Sequence, residues 1–127
     1  RGGGDLTGAI VARCLDANIY ENWTDTDGIK EINPKIMPSK TIKNLSYADL
    51  NLITKCDAKV IQNKCAETLK NTNTILLVKN INNPHGSYTK ITKNCKRKIT
   101  NVLFFPDRIG IKKNFKLAQI PAFPPLP

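Results

Sequence analysis

Ser46-Tyr-Ala-Asp-Leu-Asn-Leu-Ile-Thr-Lys-Cys56-Asp-Ala-Lys-Val-Ile-Gln-Asn-Lys-Cys65-Ala-Glu-Thr-Leu-Lys70 is the stretch on which the fold turns. It opens like a capping box, Ser46 followed three residues later by Asp49 in place of the usual Glu. Behind it Leu50, Ile53, Cys56, Val60, Ile61, Cys65 and Leu69 recur at helical steps. These positions cover more than half of a helical wheel, so the helix is either well buried or broken near Asp57. If it is continuous, Cys56 and Cys65 lie roughly 13–14 Å apart along its axis and point to opposite sides. A disulfide needs Cα atoms within about 7 Å, so continuity sends them separately to Cys14 and Cys95. A break lets 56 pair with 65 and leaves 14 with 95.

Towards the N-terminus, Asp5 to Tyr20 reads as an amphipathic helix. Asp5 can cap it, and Leu6, Ile10, Val11, Cys14, Leu15 and Ile19 form its apolar stripe. Gly8 and the pair Ile10-Val11 weaken helix and favour strand. Residues 1–4, Arg-Gly-Gly-Gly, read as a flexible, processed or engineered terminus. Thr24 to Asn44 is polar and broken by Asp27-Gly28, Pro34 and Pro38, which predicts a long loop with a short extended piece at Ile29 to Ile32.

Past Asn73 the texture changes. Thr74 to Lys79 is an apolar run of strand length, Asn82-Asn83-Pro84-His85-Gly86 reads as a turn, and Ser87 to Lys93, Lys98 to Phe105 and Ile109 to Leu117 follow as further strands. Residues 118–127, with Pro121, Pro124, Pro125 and Pro127, read as an extended tail that Phe123 ties down. The expected architecture is α+β: one or two helices packed on a small antiparallel sheet, held by two disulfides, in a single domain over residues 1–127.

Charge divides the chain. Of its twenty Lys and Arg, ten lie between Ile75 and Leu117 against one acidic residue, Asp107, so about +9 (10 − 1) of the net +10 sits there. Lys90, Lys93, Lys96, Arg97 and Lys98 surround Cys95, and Arg108, Lys112, Lys113 and Lys116 lie on or beside the last strand. If those strands are neighbours, their cations share one sheet face, with Tyr88 and Phe115 available to stack on a ligand. Such a face fits an anionic partner, RNA or a sulfated glycan, or a host protein. The competing reading is a solvated, lysine-guarded sheet edge.

Cys14, Cys56, Cys65 and Cys95 make an even set without CxxC spacing, which points to two bridges in an oxidising compartment rather than zinc. Asn22-Trp-Thr24 and Asn44-Leu-Ser46 are glycosylation sequons permissive for the same compartment. No apolar run approaches the roughly 20 residues of a membrane span. Together these features predict a secreted monomer. Candidate chemistry is sparse. His85, the sole histidine, sits in a turn where it could act as a general acid or base. Asp25, Asp27 and Glu31 could attract Ca²⁺ but lack loop spacing, and a solvated turn is the plainer reading. No metal or cofactor is expected.

The run Ser87-Tyr-Thr-Lys-Ile-Thr-Lys-Asn-Cys-Lys-Arg-Lys-Ile-Thr-Asn-Val-Leu-Phe-Phe105 resembles the paired strands of small secreted fungal ribonucleases of the T1 and ribotoxin type, and of ribonuclease-like fungal effectors. The cysteine-bearing helix at Ala9 to Ile19 extends that likeness. It implies a helix on an antiparallel sheet and a role in RNA or host-protein binding. The family's active centre needs two imidazoles, a glutamate and an arginine. This chain has one His, and Leu103 to Phe105 stand near the place of the second. The expectation is therefore a secreted, non-enzymatic effector that binds through its basic C-terminal face. The alternatives are a ribonuclease-like toxin using His85 and a helical cytokine-like or carrier protein.

Overall fold

In a computed structural model of the chain, residues 3–32, 37–55, 61–95, 100–105, 108–113 and 116–121 are described. The elements run α1 (Gly3–Cys14), β1 (Ile19–Thr24), β2 (Asn44–Ser46), α2 (Tyr47–Lys55), α3 (Asn63–Leu69), β3 (Ile75–Asn80), β4 (Thr89–Thr92), β5 (Thr100–Phe105), β6 (Arg108–Lys113) and β7 (Lys116–Pro121). Two sheets result. One is four-stranded and mixed, ordered β1-β3-β4-β2; the other is an antiparallel meander, β5-β6-β7.

The first helix stops earlier than its periodicity predicts. Asp16 adopts a left-handed backbone, φ 50°. The Asp16 N–H donates to Arg13 O at 3.2 Å and the Ala17 N–H to Ala12 O at 2.9 Å. This pair of bonds is a Schellman closure with aspartate where glycine is usual. It reverses the chain, so that β1 runs back along α1. The stripe expected to be buried is consequently outside: Ile10 is 47% exposed, Val11 50%, Leu15 74% and Ile19 54%. Small residues pack instead, Ala9 and Ala12 on α1 with Cys65 and Ala66 on α3. Gly8 serves the same closeness, because a Cβ there would run into the Tyr20 ring and hydroxyl.

Residues 46–70 form two helices, not one. Ser46 Oγ accepts the Asp49 N–H at 3.1 Å, the cap that the sequence predicts for α2. α3 is a separate short helix, reached from α1 by the Arg13 guanidinium, which donates to Thr68 O at 3.3 Å. The buried faces of Leu45, Tyr47, Leu50, Ile53, Ile61 and Leu69 meet Leu76, Val78 and Ile91 of the sheet in one core. Tyr47 donates its hydroxyl to Thr74 O at 2.6 Å, and Thr74 Oγ1 donates to Ala17 O at 2.7 Å. This chain of bonds ties the start of α2 to the start of β3 and to the α1–β1 turn.

The expectation of helices on one small antiparallel sheet is therefore overturned. β1 pairs with β3 in parallel and β2 with β4 in parallel, while β3 and β4 are antiparallel. The parallel pairings were missed because β1 begins in the last two residues of the predicted first helix and runs on to the predicted loop, while β2 falls between that loop and the capping box. The meander is present but holds only β5 to β7, and β7 (Lys116–Pro121) takes in Ala118 to Pro121, the start of the segment read as an extended tail. The expected disulfides are absent too. Cys14 is exposed at the end of α1, Cys65 is buried in α3 and Cys95 is half-buried, all three as free thiols. Cys56 lies outside the described residues.

Replacing Asp16 by Gly should raise unfolding stability by roughly 1 kcal/mol, because it relieves the left-handed strain and removes an anion from a helix C-terminus. Urea denaturation reads the change, and an unchanged midpoint would contradict the strained closure. Burial, reinforced by the Asp5 carboxylate, pushes the Cys65 thiol up from 9.0 to about 12. Native alkylation near pH 8 should therefore modify Cys14 and spare Cys65, as peptide mapping would show. By linkage, the stability held by the neutral Cys65 thiol is complete below pH 9.0 and is lost as pH climbs from there towards 12.

Candidate functional site

Because β1 and β3 are parallel, their C-terminal ends share one edge of the mixed sheet. The reversal at Asp16 brings the N-terminal turn of α1 to that same edge, where Asn22 donates its amide to Asp5 Oδ1 at 2.9 Å and the Tyr20 hydroxyl donates to Asp5 O at 3.2 Å. Burial holds the Tyr20 phenol above its usual value, with Cys65 and Asp5 adding to the shift and the Asn22 hydrogen bond opposing it. Gly3 and Gly4, in the first turn of α1, are exposed, and a Cβ at either would meet nothing within 4 Å.

The loop leaving β1, Asp25-Thr26-Asp27-Gly28, is firmly built. Gly28 has φ +79°, and a Cβ there would stand 2.5 Å from Thr89 Oγ1 and 2.8 Å from the Thr89 nitrogen. Behind it the buried Thr89 hydroxyl accepts the Ile29 N–H at 2.8 Å and donates to Ile42 O at 2.7 Å. Thr41 Oγ1 donates to Asp27 O at 2.8 Å and accepts from Lys30 Nζ at the same distance. Lys30 and Thr41 form a bridge, so the extended piece predicted near Ile29 is one arm of a narrow hairpin-like loop. At the end of β3, Asn80 donates its amide to Asp27 Oδ1 at 2.9 Å. Within the loop Thr24 Oγ1 donates to Asp25 Oδ1 and Thr26 Oγ1 to Gly28 O, both at 3.3 Å, and Asp25 is exposed. On the opposite sheet face Lys79 pairs with Glu21 at 3.3 Å and stands 4.7 Å from the centroid of Trp23 and 5.7 Å from that of Tyr88.

The residues that the sequence singled out for anion binding are not gathered onto one sheet face. Lys90 is exposed on β4 of the mixed sheet and Lys93 and Tyr88 are exposed beside it, whereas Arg108, Lys112, Lys113 and Lys116 belong to the separate meander. Lys96, Arg97 and Lys98 lie outside the described residues. His85 is exposed in the turn between β3 and β4. Asn22, read as a sequon, is 5% exposed with its amide donating to Asp5, and Asn44 sits in β2 opposite Lys90. Among the described residues no three His, Cys, Asp or Glu are grouped to hold a metal ion, and no helix is long and apolar enough to cross a membrane.

Asp5, Asn22, Asn80 and Thr89 were not legible as site residues. The available signal was strand alternation: once Ile19 to Thr24 is a strand, Tyr20, Asn22 and Thr24 fall on one face together. Gly28→Ala should cost about 2 kcal/mol or more, since the new methyl meets Thr89 backbone as well as side chain at a positive φ. Thermal unfolding would measure it, and a cost under half of that would mean the loop yields.

The sequence profile of the amino acid kinase family matches residues 1–80, which span α1 to the end of β3. The chain is 35% identical over 100 residues to a bifunctional aspartokinase/homoserine dehydrogenase of Buchnera aphidicola, covering 77% of this chain and 12% of that protein. It is 31% identical over 102 residues to aspartokinase 3 of Bacillus subtilis, covering 80% of this chain and 22% of the relative. Among solved structures, aspartate kinase of Clostridium acetobutylicum superposes with a TM-score of 0.64 at 28% identity, over 81% of this chain and 24% of that one. E. coli aspartokinase III in complex with aspartate and ADP superposes with a TM-score of 0.74 at 22% identity, over 85% and 24%. The chain thus spans a minor part of the relatives it matches. These findings replace the ribonuclease resemblance, whose run splits between β4 of one sheet and β5 of the other. The non-enzymatic secreted effector falls with it, as do the His85 nuclease and the helical carrier.

Proposed function

Since the chain belongs to the amino acid kinase family, we propose that it forms the ligand-binding edge of an aspartokinase-like enzyme, one that moves a phosphoryl group from a nucleoside triphosphate to an amino-acid carboxylate. In that reaction a carboxylate oxygen attacks the γ-phosphorus, the bond from the γ-phosphorus to the β,γ-bridging oxygen breaks, and ADP leaves with the bridging oxygen and its electron pair. The product is an acyl phosphate. Such chemistry asks the protein for placement and for groups that hold charge, more than for a covalent partner.

One observation carries the reading: the first turn of α1, tied to β1 through Asp5 and Asn22, and the loop that leaves β1 both lie towards the carboxyl ends of two parallel strands, where parallel α/β sheets usually take their ligands. The relatives' names supply the substrate class, and the E. coli structure holds aspartate and ADP. Backbone N–H groups of Gly3 to Asp5 suit phosphate oxygens, which approach closely where no side chain intervenes. The Asp5–Asn22 bond keeps the turn from drifting off the strand.

Titration of the isotope-labelled chain with ADP, followed by amide NMR, tests the proposal. Shifts should concentrate at Gly3 to Asp5 and Thr24 to Gly28, with those of β5 to β7 unmoved. Shifts confined to the basic strands would point back to nonspecific anion binding, and none at millimolar ADP would sink the reading.

A further inference from the structure

Asn80 occupies a place that its residue type explains better than packing does. It ends β3, next to the end of β1, and is half-buried. Both ends of its amide are committed: Nδ2 donates to Asp27 Oδ1 at 2.9 Å, and Oδ1 accepts the Asn82 N–H at 2.9 Å. The two contacts fix the amide's orientation, because a flip would set its oxygen against a carboxylate and its NH₂ against an N–H. They also join the two loops that leave the parallel strands, Asp25 to Gly28 and Ile81 to Asn83, with the Asn83 N–H closing a turn onto Asn80 O at 3.1 Å. On the far side, Thr41 and Thr89 hold only the backbone of the first loop. Asn80 makes the side-chain bond that determines where the Asp27 carboxylate points.

We propose that Asn80 is a positioning residue, a two-ended latch that sets the Asp27 carboxylate and the β1 loop for the nucleotide. This role rests on the reading that this edge takes a nucleotide. A hydrogen bond to a charged acceptor is among the stronger neutral-to-ion contacts, and here it crosses between two segments far apart in sequence. The latch therefore spares the ligand the cost of ordering the loop.

Three variants test it. Asn80→Asp keeps the acceptor for Asn82 but puts a carboxylate against Asp27. Asn80→Ala removes both contacts. Asn80→Asp combined with Asp27→Asn exchanges donor and acceptor and restores the bond. In amide hydrogen exchange, Gly28 and Ile29 should exchange faster in both single variants and recover in the double one, while α1 and α3 amides stay as in the unaltered chain. Unchanged exchange at Gly28 and Ile29, or acceleration spread evenly over all elements, overturns the latch without reference to any ligand. For ADP, Asn80→Asp should weaken binding by roughly tenfold or more. Equal affinity in Asn80→Asp and the unaltered chain overturns the link to the ligand. No binding by the unaltered chain overturns the nucleotide reading itself, and the exchange data still decide the latch.

Discussion

Parallel pairing of Ile19–Thr24 with Ile75–Asn80 is the constraint from which the rest of the structure follows. Two parallel strands cannot be joined by a tight turn, so the chain between them must leave the sheet and return. The crossing between them lays β2 at the far side of the same sheet and then carries α2 and α3, whose apolar faces fill the space over Leu76, Val78 and Ile91. Parallel direction also places both outgoing loops on one edge. An antiparallel arrangement of the same strands would have put Asp27 and Asn80 at opposite ends of the sheet.

What happens at that edge depends on groups that are polar yet enclosed. Thr89 is fully buried, and its hydroxyl both accepts and donates, linking Ile29 to Ile42. Valine, of nearly the same shape, would leave both backbone groups without a partner. Gly28 fits against Thr89 only because it lacks a side chain. The loop is therefore shaped from the inside, by packing and hydrogen bonds in the core. On its outer side Asp25 is exposed, while Thr24 and Thr26 are half-buried with their hydroxyls bonded to Asp25 and to Gly28 O.

Legibility in the sequence followed locality. The Ser46 cap, the strand at Thr74 to Lys79 and the turn around His85 rest on a few neighbouring residues, and each appears close to where its local chemistry predicts. The first helix misled because Ile10, Val11, Leu15 and Ile19 mimic a buried stripe. Only a left-handed aspartate, which has no distinctive sequence signature, ends the helix at residue 14. That error took the first two residues of β1, and reading Thr24 to Asn44 as loop before a cap at Ser46 left β2 unseen, so no parallel pair was expected. The cysteines misled in another way: an even count is compatible with bridges but does not bring sulfurs together, and Cys65 is a buried apolar filler between helices. Charge was legible as a total and not as a surface, since the topology divides the basic segments between two sheets. Asn22 and Asn80 gained meaning only once the register was known.

The two borders of the mixed sheet differ in kind. β2, on one side, is three residues long and offers little backbone to a passing chain. β1, on the other, is six residues long, and its outward row of N–H and C=O groups is flanked by the exposed side chains of Ile19 and Trp23. Such a border is a template for further strands. Among the described residues β1 has β3 as its one neighbour, so the sheet can be continued on that side by a strand of the same protein or of another.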